Sequence, residues 1–141
     1  MTDEQVTNRW RISTRTLAIW FLVIAAEIVH GILRAVALVP LLGEFRSNQI
    51  GVFTGSAIIL VIAYLTIGWI EATKTSELLT VGAIWLVLTV SFEVLFGRFV
   101  VGLSLERIVA DYNMLRGGLM PLGLLFLFFA PMIAGRLRRV R

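Results

Sequence analysis

The sequence contains no cysteine, which excludes disulfide bridges, thiolate catalysis and thiolate metal sites. It contains a single histidine, His30, which excludes haem held by two histidines of one chain. Only 16% of its 141 residues are charged, whereas 58% are hydrophobic, and the apolar residues come in long blocks rather than alternating patterns. The composition therefore predicts a protein that is embedded in the lipid bilayer.

Four apolar segments are long enough to cross a membrane, at about 16–39, 49–70, 78–103 and 114–135. Arg15 and its basic neighbours precede the first segment as in a secretory signal, but the apolar character resumes beyond Glu27, so we expect a span rather than a cleaved signal. The predicted fold is an all-α, up-down-up-down four-helix bundle, with residues 1–141 forming one integral membrane domain.

The connections between the spans are short. Residues 104–112 form a predicted amphipathic helix on the membrane surface, because apolar residues recur there at helical spacing. Pro121 and Pro131 predict that the fourth span is bent or broken. Gly51 and Gly55 open the second span with a spacing that allows a neighbouring helix to approach closely.

The net charge of +4 does not indicate a nucleic-acid partner, because most basic residues flank the apolar spans. The far side carries only Arg46, Arg107 and Arg116 outside the spans. Both termini are therefore predicted to be cytoplasmic, and we expect the inner membrane of a bacterium. The basic residues assigned to the cytoplasmic side are Arg9, Arg11, Arg15, Lys74, Arg136, Arg138, Arg139 and Arg141.

The two halves of the sequence share a pattern. Trp20 is followed by Glu27 and Gly31, and Trp85 is followed by Glu93 and then by Gly97. This recurrence indicates an internal two-helix duplication, with both halves in the same orientation about an axis along the membrane normal. The alternative is chance recurrence, and a one-residue difference in spacing favours it.

Ionisable residues inside the apolar spans are the candidate site. Glu27, His30 and Arg34 share one face of the first span, and Glu93 lies at a corresponding depth in the third. A charge near the centre of a membrane helix costs about 2.5–3.5 kcal/mol, so we expect these groups to turn inward and meet. Arg98 is the fifth candidate, about 140° from Glu93 on an ideal helix, and is expected to snorkel outward or to meet another helix.

Two carboxylates, an imidazole and a guanidinium in a low dielectric can hold or relay a proton. We therefore predict a transporter-like or membrane-embedded protein that binds a small molecule or a proton. The arginines favour an anionic solute. Four helices enclose little volume, so a homodimer is the expected working unit.

Two alternatives remain from the sequence. The charges could serve only to fix helix packing in an accessory or structural subunit of a larger membrane complex. The chain could instead be an intramembrane enzyme that acts on a lipid through polar residues near the headgroups, which are Glu44, Arg46, Glu106, Arg107 and Asp111. No catalytic motif supports an enzyme, and with a single histidine and no cysteine we expect neither metal nor cofactor.

Overall fold

The computed structural model describes residues 2–138, apart from the side chains of Asp111 and Arg116. Over that range the regular elements are all helical. Four helices are long and apolar enough to cross a membrane, and the predicted all-α architecture with four spans is confirmed. The elements are α1 (Asp3–Ala37), α2 (Val39–Leu42), α3 (Glu44–Ile70), α4 (Thr75–Phe99), α5 (Leu105–Tyr112), a 3-10 turn (Met114–Arg116) and α6 (Met120–Leu137).

Helix α1 begins well before the first predicted span. Its start is fixed by a capping box, in which the Thr2 hydroxyl accepts from the Gln5 backbone and the Gln5 side chain accepts from the Thr2 backbone. Asp3 and Glu4 add negative charge in the first turn, where it suits the helix dipole. The polar, basic segment is therefore a helical extension of the first span.

The four long helices pack in the order α1, α3, α6, α4 around the bundle. Helix α6 packs extensively against both α3 and α4, and α1 packs against the same two helices. A two-fold axis along the membrane normal would place α1 and α4 at opposite corners, so the expected axis is wrong. Each half does contain a long helix, a short helix and a second long helix. A sideways translation that places α1 on α4 and α3 on α6 fits the packing order of the four long helices. The duplication itself stays a prediction.

Helices α1 and α4 run parallel and are joined by two indole hydrogen bonds. The Trp20 Nε1–H donates to Thr89 Oγ1 at 3.0 Å, and the Trp85 Nε1–H donates to the Thr16 carbonyl at 3.1 Å. Each pair is 69 positions apart, so residue i of α1 lies level with residue i+69 of α4. Glu93 is therefore level with Ile24, about 4.5 Å along the axis from Glu27.

Helices α4 and α6 lie in close contact at Gly82. A Cβ atom placed on Gly82 would lie 1.9 Å from the Phe128 carbonyl oxygen. Only a glycine permits this approach, because a hydrogen on its Cα occupies the space that a side chain would need. Helix α6 continues through Pro131, so the predicted break is absent from its interior. Within the predicted span of 114–135, the helical path is instead interrupted at Gly117, whose φ is +86°.

The hydrophobic core lies toward one end of the bundle. That end, called the terminal end here, carries residue 2, the α3–α4 connector and residue 138; the opposite end is the α5 end. In α1 the buried residues stop at Ile24, and in α6 they begin at Leu127. The helices are therefore tightly packed at the terminal end and more open toward α5.

At the terminal end, two arginines of α1 hold the α3–α4 connector. Arg11 and Arg15 contact the Glu71 carboxylate at 2.9 and 3.2 Å. Arg15 also donates to the Trp69 carbonyl at 2.5 Å and stacks over the Trp69 ring. These contacts place Arg11 and Arg15 at the terminal end of the bundle. That this end faces the cytoplasm stays a prediction. Arg139 and Arg141 lie outside the described residues.

The Glu71 contacts predict a specific pH dependence of stability. Hydrogen bonds from Arg11 and then from Arg15 hold the pKa of the Glu71 carboxyl below its ordinary value of 4.5. Because the pKa is lower in the folded state, the contribution is complete above about pH 4.5 and is lost as pH falls through the folded value. The effect is small, since the pair is exposed to solvent.

The measurement compares the unfolding midpoints of wild type and Glu71→Gln in detergent from about pH 6 to about pH 3. Wild type should be more stable at the higher pH, and the two proteins should converge as the pH falls. Glu4→Gln is the control for an exposed acid that favours the helix dipole, and its pH-dependent difference from wild type should be smaller than that of Glu71→Gln. A difference between wild type and Glu71→Gln that does not change with pH would contradict the prediction.

Candidate functional site

The polar stripe of α1 faces α3. A Cβ atom placed on Gly55 would lie 2.8 Å from Glu27 Oε2, and one placed on Gly51 would lie 2.8 Å from Arg34 Cδ. The close approach predicted at these two glycines is therefore present. What approaches is not an apolar helix surface but the polar side chains of α1, which lie directly on the α3 backbone.

His30 is held between Glu27 and Thr54. Its Nε2 lies 2.6 Å from Thr54 Oγ1, and its Nδ1 lies 3.5 Å from Glu27 Oε2. The Thr54 hydroxyl lies within hydrogen-bond distance of both His30 Nε2 and the Ile50 carbonyl, so it accepts from Nε2–H in one tautomer of the ring and donates to Nε2 in the other. The second ring nitrogen, Nδ1, is thus the one turned to the carboxylate, and any proton that His30 exchanges with Glu27 sits there.

Glu27 is only partly satisfied by these neighbours. Its side chain is 25% exposed, and its Oε1 atom is buried with no hydrogen-bond partner. A buried, unpaired carboxylate oxygen is costly unless it gains a proton or a donor. Glu27 therefore has hydrogen-bonding capacity that the described protein atoms do not use.

Glu93 lies at the edge of this cluster. It projects from the same face of α4 as Gly82 and Thr89, at helical spacings of eleven and four residues. Both of those residues are buried, whereas Glu93 is exposed. It is close enough to Glu27 for the two carboxylates to interact electrostatically, as Arg34 also does with Glu27. The site is partly open, and not the buried site that the sequence predicted.

The fifth candidate, Arg98, stands apart from the cluster. Its Nη1 lies 3.4 Å from the Leu103 carbonyl beyond the end of α4, and its side chain is exposed. This placement agrees with the expected outward direction. Thr54 is not among the site residues predicted from the sequence. Its position one turn from Gly51 is the signal that could have placed it opposite His30.

Helix α5 lies across one end of the bundle, where it contacts α3 and α4. Arg107 of α5 pairs with Glu44 of α3 at 3.3 Å, and Ile108 packs on Gly97 of α4. Past α5, the Gln49 amide donates to the Gly117 carbonyl at 2.8 Å. Glu44 and Arg107, which were both predicted to be headgroup residues of a possible lipid enzyme, thus form an ion pair between α3 and α5. The side chain of Asp111, another of them, lies outside the described residues.

No protein-family model, curated protein or solved structure matches this chain. Within residues 2–138, no three His, Asp or Glu side chains form a group that could hold a metal ion. A function must therefore be inferred from the geometry of Glu27, His30, Arg34 and Thr54.

Removing the Thr54 hydroxyl should change the state of the His30 ring. Thr54→Val keeps the side-chain shape but takes away the hydrogen-bond partner of Nε2, so the ring should reorient and its balance of tautomers should change. Nitrogen NMR of the imidazole measures this directly, and the signals need no assignment because His30 is the only histidine.

Thr66→Val is the matched control. The Thr66 hydroxyl also donates to the carbonyl four residues earlier, that of Ile62, and no contact joins it to His30. Its replacement should leave the imidazole signals unchanged. Equal spectra for Thr54→Val and wild type would show that Thr54 does not hold the ring.

Proposed function

We propose that this chain is a transporter-like, membrane-embedded binding protein, whose site between α1 and α3 holds an exchangeable proton together with a small ligand. The observation that carries the proposal is the position of His30, with Nε2 on Thr54 Oγ1 at 2.6 Å and Nδ1 facing Glu27 Oε2 at 3.5 Å. An imidazole fixed on one side and facing a carboxylate on the other can pass one proton between two groups.

The surroundings of Glu27 support proton exchange. Its Oε1 atom is buried without a hydrogen bond, which makes the charged form costly, whereas the Arg34 guanidinium on the same face of α1 offsets part of that cost. Glu93 of α4 places a second carboxylate near the same site. A site with these opposing contributions can change protonation when a ligand or another conformation alters any one of them.

The proposal is tested by infrared difference spectroscopy of the protein in lipid vesicles, recorded while the pH of the medium is changed. A reversible C=O band of a protonated carboxyl is expected, and Glu27→Gln should remove it. Glu44→Gln is the control, because Glu44 pairs with Arg107 outside the α1–α3 site. In the same vesicles, a pH-sensitive dye should report proton flux that Glu27→Gln and Glu93→Gln both reduce.

A spectrum that lacks a Glu27 band at every pH, with no effect of either substitution on flux, would overturn the proposal. The charges would then act as a packing network, as expected of an accessory subunit in a larger complex. Purification from native membranes at a fixed ratio with a second protein would support that alternative. The homodimer stays a prediction, and light scattering of the purified protein measures it.

A further inference from the structure

Two arginines from neighbouring helices lie on the outer face of α3, near the terminal end. Arg15 of α1 donates to the Trp69 carbonyl. Arg138, which caps the end of α6, donates through Nη1 to the Tyr64 carbonyl at 3.0 Å and to the Leu65 carbonyl at 3.4 Å. The Leu65 and Trp69 carbonyls are one helical turn apart, about 6 Å along the axis, so the two guanidiniums flank one short stretch of α3.

The Arg138 guanidinium lies directly on the α3 backbone at Gly68. A Cβ atom placed on Gly68 would lie 3.3 Å from Arg138 Nη1 and 3.6 Å from its Cζ. The same guanidinium lies over the Tyr64 ring, with its Cζ 5.6 Å from the ring centroid. Carbonyl oxygens and an aromatic ring of α3 therefore hold Arg138 in place without a ligand.

The charge of Arg138 is not neutralised by the part of the chain that the structure describes. The nearby acids already have partners, since Glu71 pairs with Arg15, and Glu77 accepts from the two backbone N–H groups that precede α4. Helix α6 itself contains no acidic residue. Within residues 2–138, no ion pair includes Arg138. Carbonyl dipoles stabilise a cation but leave its charge unchanged, so the surface here attracts an anion.

Arg138 also has donors left for that anion. Its hydrogen bonds to α3 both leave from Nη1, and among the described residues its Nε and Nη2 atoms have no acceptor. The N–H groups on Nε and Nη2 point in parallel, in the arrangement that binds two oxygens of one phosphate or carboxylate. The side chain is exposed, so an anion can reach this side of it.

The surface beside Arg138 becomes apolar toward the middle of the bilayer. Val61 and Leu65 lie on the same face of α3 as Trp69, at spacings of four residues, and are 57% and 66% exposed. Trp69 is itself half exposed, and tryptophans at the end of a span lie at the boundary between headgroups and acyl chains. A cation at headgroup depth is therefore followed, one and two turns deeper, by a surface suited to an acyl chain.

We propose that Arg138 on the outer face of α3 binds the phosphate of an anionic phospholipid, whose acyl chain lies along Val61 and Leu65. A net negative headgroup is favoured over a zwitterionic one, because a zwitterion brings its own cation to the phosphate and leaves the charge of Arg138 uncompensated. Free phosphate would form the same hydrogen bonds but has no chain to place on α3. This lipid site is separate from Glu27 and His30 and does not depend on the function proposed for them.

The experiment is native mass spectrometry of the full protein in detergent micelles with added lipid. Dioleoylphosphatidylglycerol and dioleoylphosphatidylcholine have the same acyl chains and differ in headgroup charge. The first phosphatidylglycerol should bind about tenfold more tightly than phosphatidylcholine, the effect of charge-assisted hydrogen bonds, and Arg138→Gln should remove that preference. An excess of glycerol 3-phosphate, which has the phosphate but no acyl chain, should not displace the lipid.

Arg136→Gln is the matched control. It removes the same charge from the same end of α6, but Arg136 projects about 160° away from Arg138 around the helix. Its affinity for phosphatidylglycerol should therefore change by less than about twofold. Arg138→Lys retains the charge without the parallel N–H groups, so its affinity should lie between those of wild type and Arg138→Gln.

These variants also separate lipid binding from a purely structural role, in which Arg138 only fastens α6 to α3. In that case Arg138→Gln would lower the unfolding midpoint in detergent alone, yet the preference for phosphatidylglycerol would remain, and the proposal would be wrong. Equal binding of the two lipids by wild type, or equal losses of affinity in Arg136→Gln and Arg138→Gln, would also overturn it. Displacement of the lipid by glycerol 3-phosphate would show a site for free anions instead.

Discussion

Gly82→Ala is expected to destabilise the bundle by about 3 kcal/mol, a large loss for a single methyl group. The added carbon would lie 1.9 Å from the Phe128 carbonyl oxygen, so α4 and α6 would have to separate. A flexible side chain could move aside, but a backbone carbonyl within α6 cannot do so without shifting its helix. The free energy of unfolding in detergent micelles or bicelles measures the effect.

Gly31→Ala is the matched control for this prediction. Both glycines lie inside membrane helices, but no atom lies within 4 Å of a Cβ at Gly31. The alanine should be neutral there, or should stabilise by up to about 1 kcal/mol through its higher helix propensity. Similar losses of stability for the two variants would show that the contact of Gly82 with Phe128 is unimportant.

Trp85→Ala should also cost about 3 kcal/mol, through the cavity left by the largest fully buried side chain of the described residues. This figure is at the low end for buried tryptophans, because a membrane bundle gains van der Waals packing rather than a hydrophobic effect from such contacts. The substitution also removes the hydrogen bond from Trp85 Nε1 to the Thr16 carbonyl, which fixes the register of α4 on α1.

Trp85→Phe separates the contribution of the hydrogen bond from that of the side-chain volume, and Trp10→Ala is the control for an exposed tryptophan. The phenylalanine keeps most of the volume and loses the hydrogen bond, so its cost should be about 1 kcal/mol. Trp10 is 71% exposed, and its removal should change the unfolding free energy little. A Trp85→Ala protein as stable as Trp10→Ala would mean that packing between α1 and α4 contributes nothing to the free energy of unfolding.

The number, type and approximate bounds of the spans could be predicted from the sequence, because run length and hydropathy determine which segments suit a bilayer. The composition of the polar face of α1 could also be predicted, since the 3.6-residue period places Glu27, His30 and Arg34 together. The small residues Gly51 and Gly55 correctly indicated a close approach.

The identity of the neighbouring helix could not be predicted. A helical period determines which residues share a face, but not which helix that face meets, so Glu93 of α4 was expected where Gly55 of α3 lies. The partial exposure of the site has the same origin, because it depends on how closely the helices pack toward the α5 end of the bundle. The continuation of α1 through residues 3–15 was missed because that segment lacks an apolar period.

The length of α1 has a mechanical consequence. Its 35 residues make a rod about 52 Å long, against a hydrocarbon thickness of about 30 Å. No glycine or proline interrupts it between Asp3 and His30, so torque applied outside the bilayer reaches Glu27 without a joint to absorb it. Arg11 and Arg15 belong to the same rod, so the α3–α4 connector that they hold is joined to the Glu27 carboxylate through one uninterrupted helix.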